Sequence, residues 1–147
     1  MSSASIKKII PCKKNQLIEM VLDIEKYPEF VPWCIEGKIY EKKENENLIT
    51  FNGDLKVGKN FLNEIFSSHV SYYKKKDKII ATNLDGPLKH LQNEWIFKEI
   101  SNGTQIEFFI DFELKNPILN SIMKKSFELG LNKIATSFQS RAVDLFK

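Results

Sequence analysis

The feature that most restricts the fold of this chain is a long, uninterrupted helical pattern near its C-terminal end. Asn116 suits the position before a helix, and Pro117 suits the first turn, where its missing amide proton would be unpaired anyway. No later proline interrupts the pattern, which predicts a helix of about 30 residues and roughly 45 Å. A helix this long with one apolar stripe needs a wide sheet to cover it. The stripe consists of Leu119, Ile122, Met123, Phe127, Leu131, Ile134, Ala135, Phe138, Ala142 and Leu145.

The residues before this helix alternate in the manner of β-strands. Between the first two predicted strands, apolar residues at helical spacing predict a helix of about three turns that begins near Lys14. The Asn-Gly dipeptide at 52–53 is compatible with either a bulge or an extra hairpin within its strand. Residues 101–104 predict a tight hairpin. Strands are predicted at 6–10, 35–41, 48–57, 60–73, 78–84, 91–97 and 106–114.

This order of elements predicts an α+β fold in which a curved antiparallel sheet wraps around the C-terminal helix, the helix-grip arrangement. At 147 residues, with no linker, repeat or low-complexity tract, residues 1–147 are expected to form a single domain. Eleven Phe, four Tyr and two Trp supply enough bulky apolar surface either to pack a dense core or to line a cavity.

Charge and cysteine content restrict the partners and the compartment. The formal charge of +3 is small, and Arg141 is the only arginine, so DNA is not an expected partner. Cys12 and Cys34 match no metal spacing and favour free thiols in a reducing cytosol. We expect no signal or transit peptide, and no window approaches the roughly 18 apolar residues of a membrane span. We therefore expect a cytoplasmic protein whose membrane contact, if any, is peripheral at the inner membrane.

Three stretches resemble one family. Residues 27–34, Tyr-Pro-Glu-Phe-Val-Pro-Trp-Cys, resemble the aromatic-proline signature of the coenzyme Q-binding START-domain proteins. Residues 86–97, Gly-Pro-Leu-Lys-His-Leu-Gln-Asn-Glu-Trp-Ile-Phe, are similar to a second signature, which usually has Phe where this chain has Leu88. Residues 110–117 are similar to the junction between the last strand and the final helix. That family belongs with the ribosome-association toxin proteins in the polyketide cyclase/dehydrase, or START-like, superfamily.

The resemblance implies a START-like fold with a cavity between the sheet and the final helix. Family members are described as carriers or chaperones of ubiquinone for respiration, and bacterial relatives as toxins that block the association of ribosomal subunits. The expected ligand is therefore ubiquinone or a related isoprenoid lipid, with no other cofactor required. This hypothesis includes transient docking of the domain at the inner membrane.

Two polar residues are expected on the inward face of the sheet. Glu64 shares the parity of Phe66, and because a buried carboxylate is costly, it is either near a strand end or used by the protein. Asn93 shares the parity of Trp95, and its amide either serves a quinone carbonyl or is satisfied within the core.

A third candidate is a glycine inside the long helix. Gly130 lies one turn from Ser126, and because a mid-helix glycine costs about 1 kcal/mol relative to alanine, it indicates space for a ligand or for Trp95. The complete set of residues expected to bind the ligand is Trp33, Phe51, Glu64, Phe66, Asn93, Trp95, Phe108, Phe112, Met123, Phe127 and Gly130.

Catalysis and ribosome binding are the two competing functions. His69 and His90 have no spacing that would join them to a nucleophile or a metal, and no phosphate-binding loop occurs, so neither an enzyme nor a metal site is expected. A regulator that binds the large ribosomal subunit is the alternative to the carrier, although the low net charge counts against it. Its phosphate contacts would come from Lys74, Lys75, Lys76, Lys78, Lys124 and Lys125.

Overall fold

The computed structural model describes residues 2–59 and 62–146, apart from the side chains of residues 2, 59, 62 and 126. Each strand pairs antiparallel with its neighbours in the order β1-β7-β6-β5-β4-β3-β2, and the sheet curves around α2. The expected α+β helix-grip fold is therefore confirmed. The elements are β1 (Ser2–Ile10), α1 (Lys14–Leu22), a 3₁₀ helix (Ile24–Glu29), β2 (Cys34–Glu44), β3 (Leu48–Lys59), β4 (Leu62–Tyr73), β5 (Lys78–Asp85), β6 (Leu88–Ile100), β7 (Gly103–Leu114) and α2 (Pro117–Phe146).

Strand β3 runs without interruption through the Asn-Gly dipeptide. Asn52 pairs with Tyr40 on one side and with His69 on the other, so the extra hairpin does not form. The irregularity lies instead in the neighbouring strand β2, between Tyr40 and Lys43. A turn dipeptide is thus overridden by two flanking strands that satisfy its backbone.

The predicted hairpin between β6 and β7 is confirmed. Ile100 pairs with Gly103, whose φ of 143° lies in a region that L side chains rarely adopt. A Cβ atom at Gly103 would also lie only 2.3 Å from the carbonyl oxygen of Ile10. Both the conformation and the close approach therefore require glycine.

The start of α2 also agrees with the sequence. Asn116 Oδ1 accepts hydrogen bonds from the backbone amides of Ile118 (2.9 Å) and Leu119 (3.2 Å), which caps the helix. The prediction that Ile122 and Leu145 belong to the buried apolar stripe is wrong, because both side chains are exposed. Ile122 lies about 160° around the helix from the buried Phe138, and Leu145 lies in the last turn beside an open groove.

The two halves of α2 are held unequally. Leu131, Phe138 and Ala142 in the second half are buried, and Phe138 belongs to the main core with Phe51 and α1. Between residues 117 and 130, none of the described side chains is buried. This first half covers a smaller apolar cluster centred on β7. The C-terminal half is therefore the part that fixes α2 on the sheet.

Cys12 and Cys34 are free thiols, as expected, and burial raises the pKa of the Cys34 thiol. Neither helix in the described part of the chain is long and apolar enough to cross a membrane.

Candidate functional site

A cavity of about 30 Å³ lies between the sheet and the C-terminal half of α2. Strands β1, β6 and β7 form its floor, and one face of α2 forms its roof. Its walls are apolar except for one lysine. The lining residues are Ile6, Lys8, Ile10, Trp95, Ile106, Phe108, Leu131, Ile134, Ala135 and Phe138.

Trp95 is the largest aromatic side chain of the cavity, and neighbouring rings fix its orientation. Its ring makes edge contacts with Phe108, at 4.7 Å between centroids, and with Phe138, at 5.2 Å. Asn93 Oδ1 accepts a hydrogen bond from Trp95 Nε1 (3.0 Å), and Asn93 Nδ2 donates to the carbonyl of Phe109 (2.9 Å). Of the two expected roles for Asn93, the structure shows the satisfied core amide, which orients the indole.

Eight of the ten lining residues were not among the predicted site residues, and Lys8 is the charged one. It pairs with Ile106 in the sheet, and Ile6 and Ile10 of the same strand also line the cavity. Lys8 alternates with Ile6 and Ile10 along the strand, so the sequence could have placed it on the same face of the sheet. The other face would carry Lys7 and Ile9, also one lysine and one isoleucine, so the pattern does not show which face is buried. Within the described part of the chain, Lys8 forms no ion pair with a carboxylate. It is therefore a candidate donor to a ligand oxygen.

Five other predicted site residues lie outside this cavity. Phe51 is buried in the main core, and the rest belong to the apolar cluster under the first half of α2. In that cluster the rings of Phe112 and Phe127 lie 4.9 Å apart. Phe66 and Met123 pack against the same cluster. In this structure these side chains fill space rather than border the cavity.

The expectation that Glu64 is buried is wrong. Its side chain is exposed, and it pairs with Val57 close to the first residue of β4. The alternation of residues along β4 correctly predicted which side chains share a face of the sheet. It did not predict how deeply Glu64 is buried, because water reaches both faces at a strand end. The strand-end interpretation of Glu64 therefore holds.

Gly130 faces Trp33 rather than empty space or Trp95. A Cβ atom at Gly130 would lie 3.6 and 3.7 Å from two carbons of the Trp33 indole. Trp33 has a φ of 67°, which is unusual for a residue with a side chain. The side chain of Ser126, one turn earlier, lies outside the described residues. The gap that the small residue leaves in α2 is thus filled by an aromatic ring.

The aromatic-proline segment fastens the second half of α2. The rings of Tyr27, Phe30 and Phe138 contact one another edge to face, with centroids 5.1–5.7 Å apart. Arg141 Nη2 donates to Glu29 Oε1 (2.6 Å), and the guanidinium lies over the Phe30 ring, 5.1 Å from its centroid. The same guanidinium lowers the pKa of the Glu29 carboxyl. An open groove of about 310 Å³ borders this clamp.

The lysines of the β4–β5 hairpin are partly neutralised. Lys74 Nζ lies 2.9 Å from Glu44 Oε2, and Lys78 Nζ lies 2.8 Å from Glu94 Oε1. Two of the four hairpin lysines are therefore paired with carboxylates of β2 and β6, which weakens this hairpin as a binding site for phosphates.

Comparison with known proteins shows the family to which this chain belongs. The family described as "Polyketide cyclase / dehydrase and lipid transport" matches residues 10–139. The ribosome association toxin RatA of Rickettsia prowazekii is 29% identical over 150 residues, which cover 100% of both chains. The mitochondrial coenzyme Q-binding protein COQ10 of Dictyostelium discoideum is 31% identical over 136 residues, which are 90% of this chain and 64% of that protein.

Two solved structures share the architecture. An 18 kDa protein from Caulobacter crescentus is 30% identical, with a TM-score of 0.82 and coverage of 99% of this chain and 98% of the other. A START superfamily protein from Mycobacterium smegmatis has the same TM-score at 18% identity, with 99% of each chain covered. Together with the helix-grip fold and the apolar cavity under α2, these matches show that the chain belongs to the polyketide cyclase/dehydrase and lipid transport family of the START-like superfamily.

Proposed function

We propose that this protein binds ubiquinone or a related isoprenoid lipid between the sheet and α2, and acts as its carrier. The observation that carries the proposal is the apolar cavity under α2, whose single charged lining residue among those described is Lys8. An apolar space with one well-placed polar group is typical of sites that bind and orient a small apolar molecule. The proposed role is binding rather than catalysis.

The size of the cavity determines how the ligand would enter. A volume of about 30 Å³ is far below the roughly 300–1,000 Å³ of small-molecule sites, so α2 has to separate from the sheet. The first half of α2 has no buried side chain among those described, so lifting it exposes less apolar surface than lifting the second half. The predicted residues Met123 and Phe127, on the inner side of this half, and Phe112, on the strand beneath it, would then border the enlarged space.

The lining residues give the ligand an orientation. The quinone ring would lie against Trp95 and Phe108, with a carbonyl oxygen accepting a hydrogen bond from the Lys8 ammonium. The isoprenoid chain would follow the apolar cluster of Phe112 and Phe127 towards the first half of α2. A ligand without a polar end would make no use of Lys8.

The test is organic extraction and native mass spectrometry of freshly purified protein, with a matched pair of variants. Ala135→Leu places three further carbons in the cavity wall, so it should lower the retained lipid at least tenfold. Asn132→Leu introduces the same leucine side chain at an exposed position of the same helix and should retain lipid at the wild-type level. The proposal fails if extraction returns no lipid and added ubiquinone changes neither the melting temperature nor the tryptophan fluorescence.

Ribosome association is the second candidate function, because RatA of Rickettsia prowazekii aligns with the chain over its full length. Co-sedimentation with the large ribosomal subunit at low and moderate salt tests it directly. A ribosome-binding role predicts sedimentation that Ala135→Leu leaves unchanged, since that residue lies inside the cavity. Protein that remains in the supernatant at low salt would exclude this function.

A further inference from the structure

The first half of α2 is apolar on its outward face as well as on its inward face. Ile118, Ile122 and Leu129 are 73%, 44% and 65% exposed. At 100° per residue these three side chains fall within about 40° of the helix circumference and extend over roughly 16 Å. We call this row the outer stripe. The described residues contain no partner for it, although a surface helix normally directs polar residues towards water.

Positive charge surrounds the outer stripe. Lys125 and Lys133 are exposed and lie about 20° beyond its two edges. Residues 115–133 contain four lysines and one glutamate, a local charge of +3, which leaves eighteen charges of each sign in the rest of the chain. The whole formal excess of positive charge therefore lies on this segment.

The chemistry of the stripe favours a lipid surface over a protein. The cores of protein interfaces are enriched in aromatic residues and arginine and depleted in lysine. Aliphatic side chains bordered by lysines are instead typical of helices that lie in the headgroup region of anionic bilayers. We propose that the outer stripe, with Lys125 and Lys133, docks α2 on an anionic phospholipid surface. This docking does not depend on which ligand the cavity binds.

The geometry of docking connects this surface to the rest of the fold. A helix lying in the headgroup region inserts its apolar face while lysine ammonium groups stay near the phosphates. With the outer stripe inserted, the loosely packed half of α2 rests on the membrane, and the buried residues Leu131, Phe138 and Ala142 hold the other half on the sheet.

Flotation with vesicles tests the proposal. The probes are quinone-free vesicles of phosphatidylcholine, with or without phosphatidylglycerol. Wild-type protein should float with the anionic vesicles and only weakly with the neutral ones. Ile118→Ser/Ile122→Ser/Leu129→Ser should lower the partition coefficient at least tenfold on the anionic vesicles. Lys125→Gln/Lys133→Gln should lower it about 30-fold on anionic vesicles and leave it unchanged on neutral ones.

The matched control is Ile9→Ser/Ile96→Ser, which removes two exposed aliphatic side chains, 56% and 38% exposed, from the sheet. It should float like the wild type, and circular dichroism should show that every variant is folded. Wild-type protein that fails to float, a stripe variant that floats normally, or a control that loses binding equally would overturn the proposal. So would sedimentation velocity that shows a dimer which the stripe variant dissociates, because a second copy would then cover the stripe.

Discussion

Leucine at position 130 should leave the fold less stable than alanine at the same position does, and alanine should stabilise it. The Cβ atom that both substitutions introduce lies 3.6 and 3.7 Å from the Trp33 indole, which is ordinary van der Waals contact. Gly130→Ala therefore gains helix propensity without steric cost. The additional carbons of leucine extend beyond Cβ towards a ring that already occupies the space.

The two effects can be separated in magnitude. Replacing a mid-helix glycine contributes up to about 1 kcal/mol, and leucine gains nearly as much as alanine. Overpacking a filled site costs about 1–3 kcal/mol. The Gly130→Leu variant should thus be less stable than Gly130→Ala by about 1–3 kcal/mol. For a chain of this size, each kcal/mol corresponds to about 2–4 °C in melting temperature.

Urea denaturation of both variants measures the difference, and Trp33 reports the displacement. In a Trp95→Phe background Trp33 is the only tryptophan, and its emission should shift to longer wavelength in Gly130→Leu but not in Gly130→Ala. Trp33→Leu should then recover part of the loss caused by Gly130→Leu, which a double-mutant cycle would detect. If the leucine and alanine variants are equally stable and the emission is unchanged, the space beside Gly130 is empty and the contact with Trp33 is not a constraint.

Three further predictions concern stability. Asn116→Ala removes the cap of α2 and should cost about 1 kcal/mol in urea denaturation, and an unchanged midpoint would contradict the capping role. Lys78 lowers the pKa of Glu94 from its ordinary value of 4.5, so this ion pair stabilises the fold above that pH and its contribution is lost as the pH falls through the folded-state pKa. Glu94→Gln should therefore reduce stability by up to about 1 kcal/mol at neutral pH, and the difference from the wild type should shrink as the pH falls through the folded-state pKa of Glu94; a constant difference would refute the assignment. Trp95→Ala removes ring contacts on two sides and should cost about 3–5 kcal/mol, measured by thermal unfolding, and a loss below about 1 kcal/mol would mean that these contacts are not formed in solution.

Local patterns predicted the elements well, because each depends on neighbours in sequence. The cap at Asn116, the hairpin that requires Gly103 and the alternation of β7 were all readable from a few adjacent residues. The extra hairpin at Asn52 was the exception. Its turn propensity is overridden by pairing with two flanking strands, which only the tertiary structure provides.

The candidate site was less predictable, because its contacts join distant segments. Trp33 packs beside Gly130, and Arg141 donates a hydrogen bond to Glu29, although the members of each pair are far apart in sequence. No periodic pattern in the sequence predicts such contacts. The alternation along a strand also predicts on which face of the sheet a side chain lies, but not how deeply that side chain is buried. Glu64 therefore shares the inward parity of its strand and yet meets water.

Because α2 follows all the strands in the chain, the ribosome synthesises the sheet before the helix that covers it. All seven strands precede α2, and β1 pairs with β7, so the first strand waits for residues 104–112 before it has a partner. At about 5–20 residues per second, the 30 residues of α2 take about two to six seconds to translate. During that interval the concave face, with Phe108, Phe112 and Trp95, has no helix to cover it. The nascent chain is then at its most prone to aggregation, and a chaperone or a lipid that binds this face during translation would protect it.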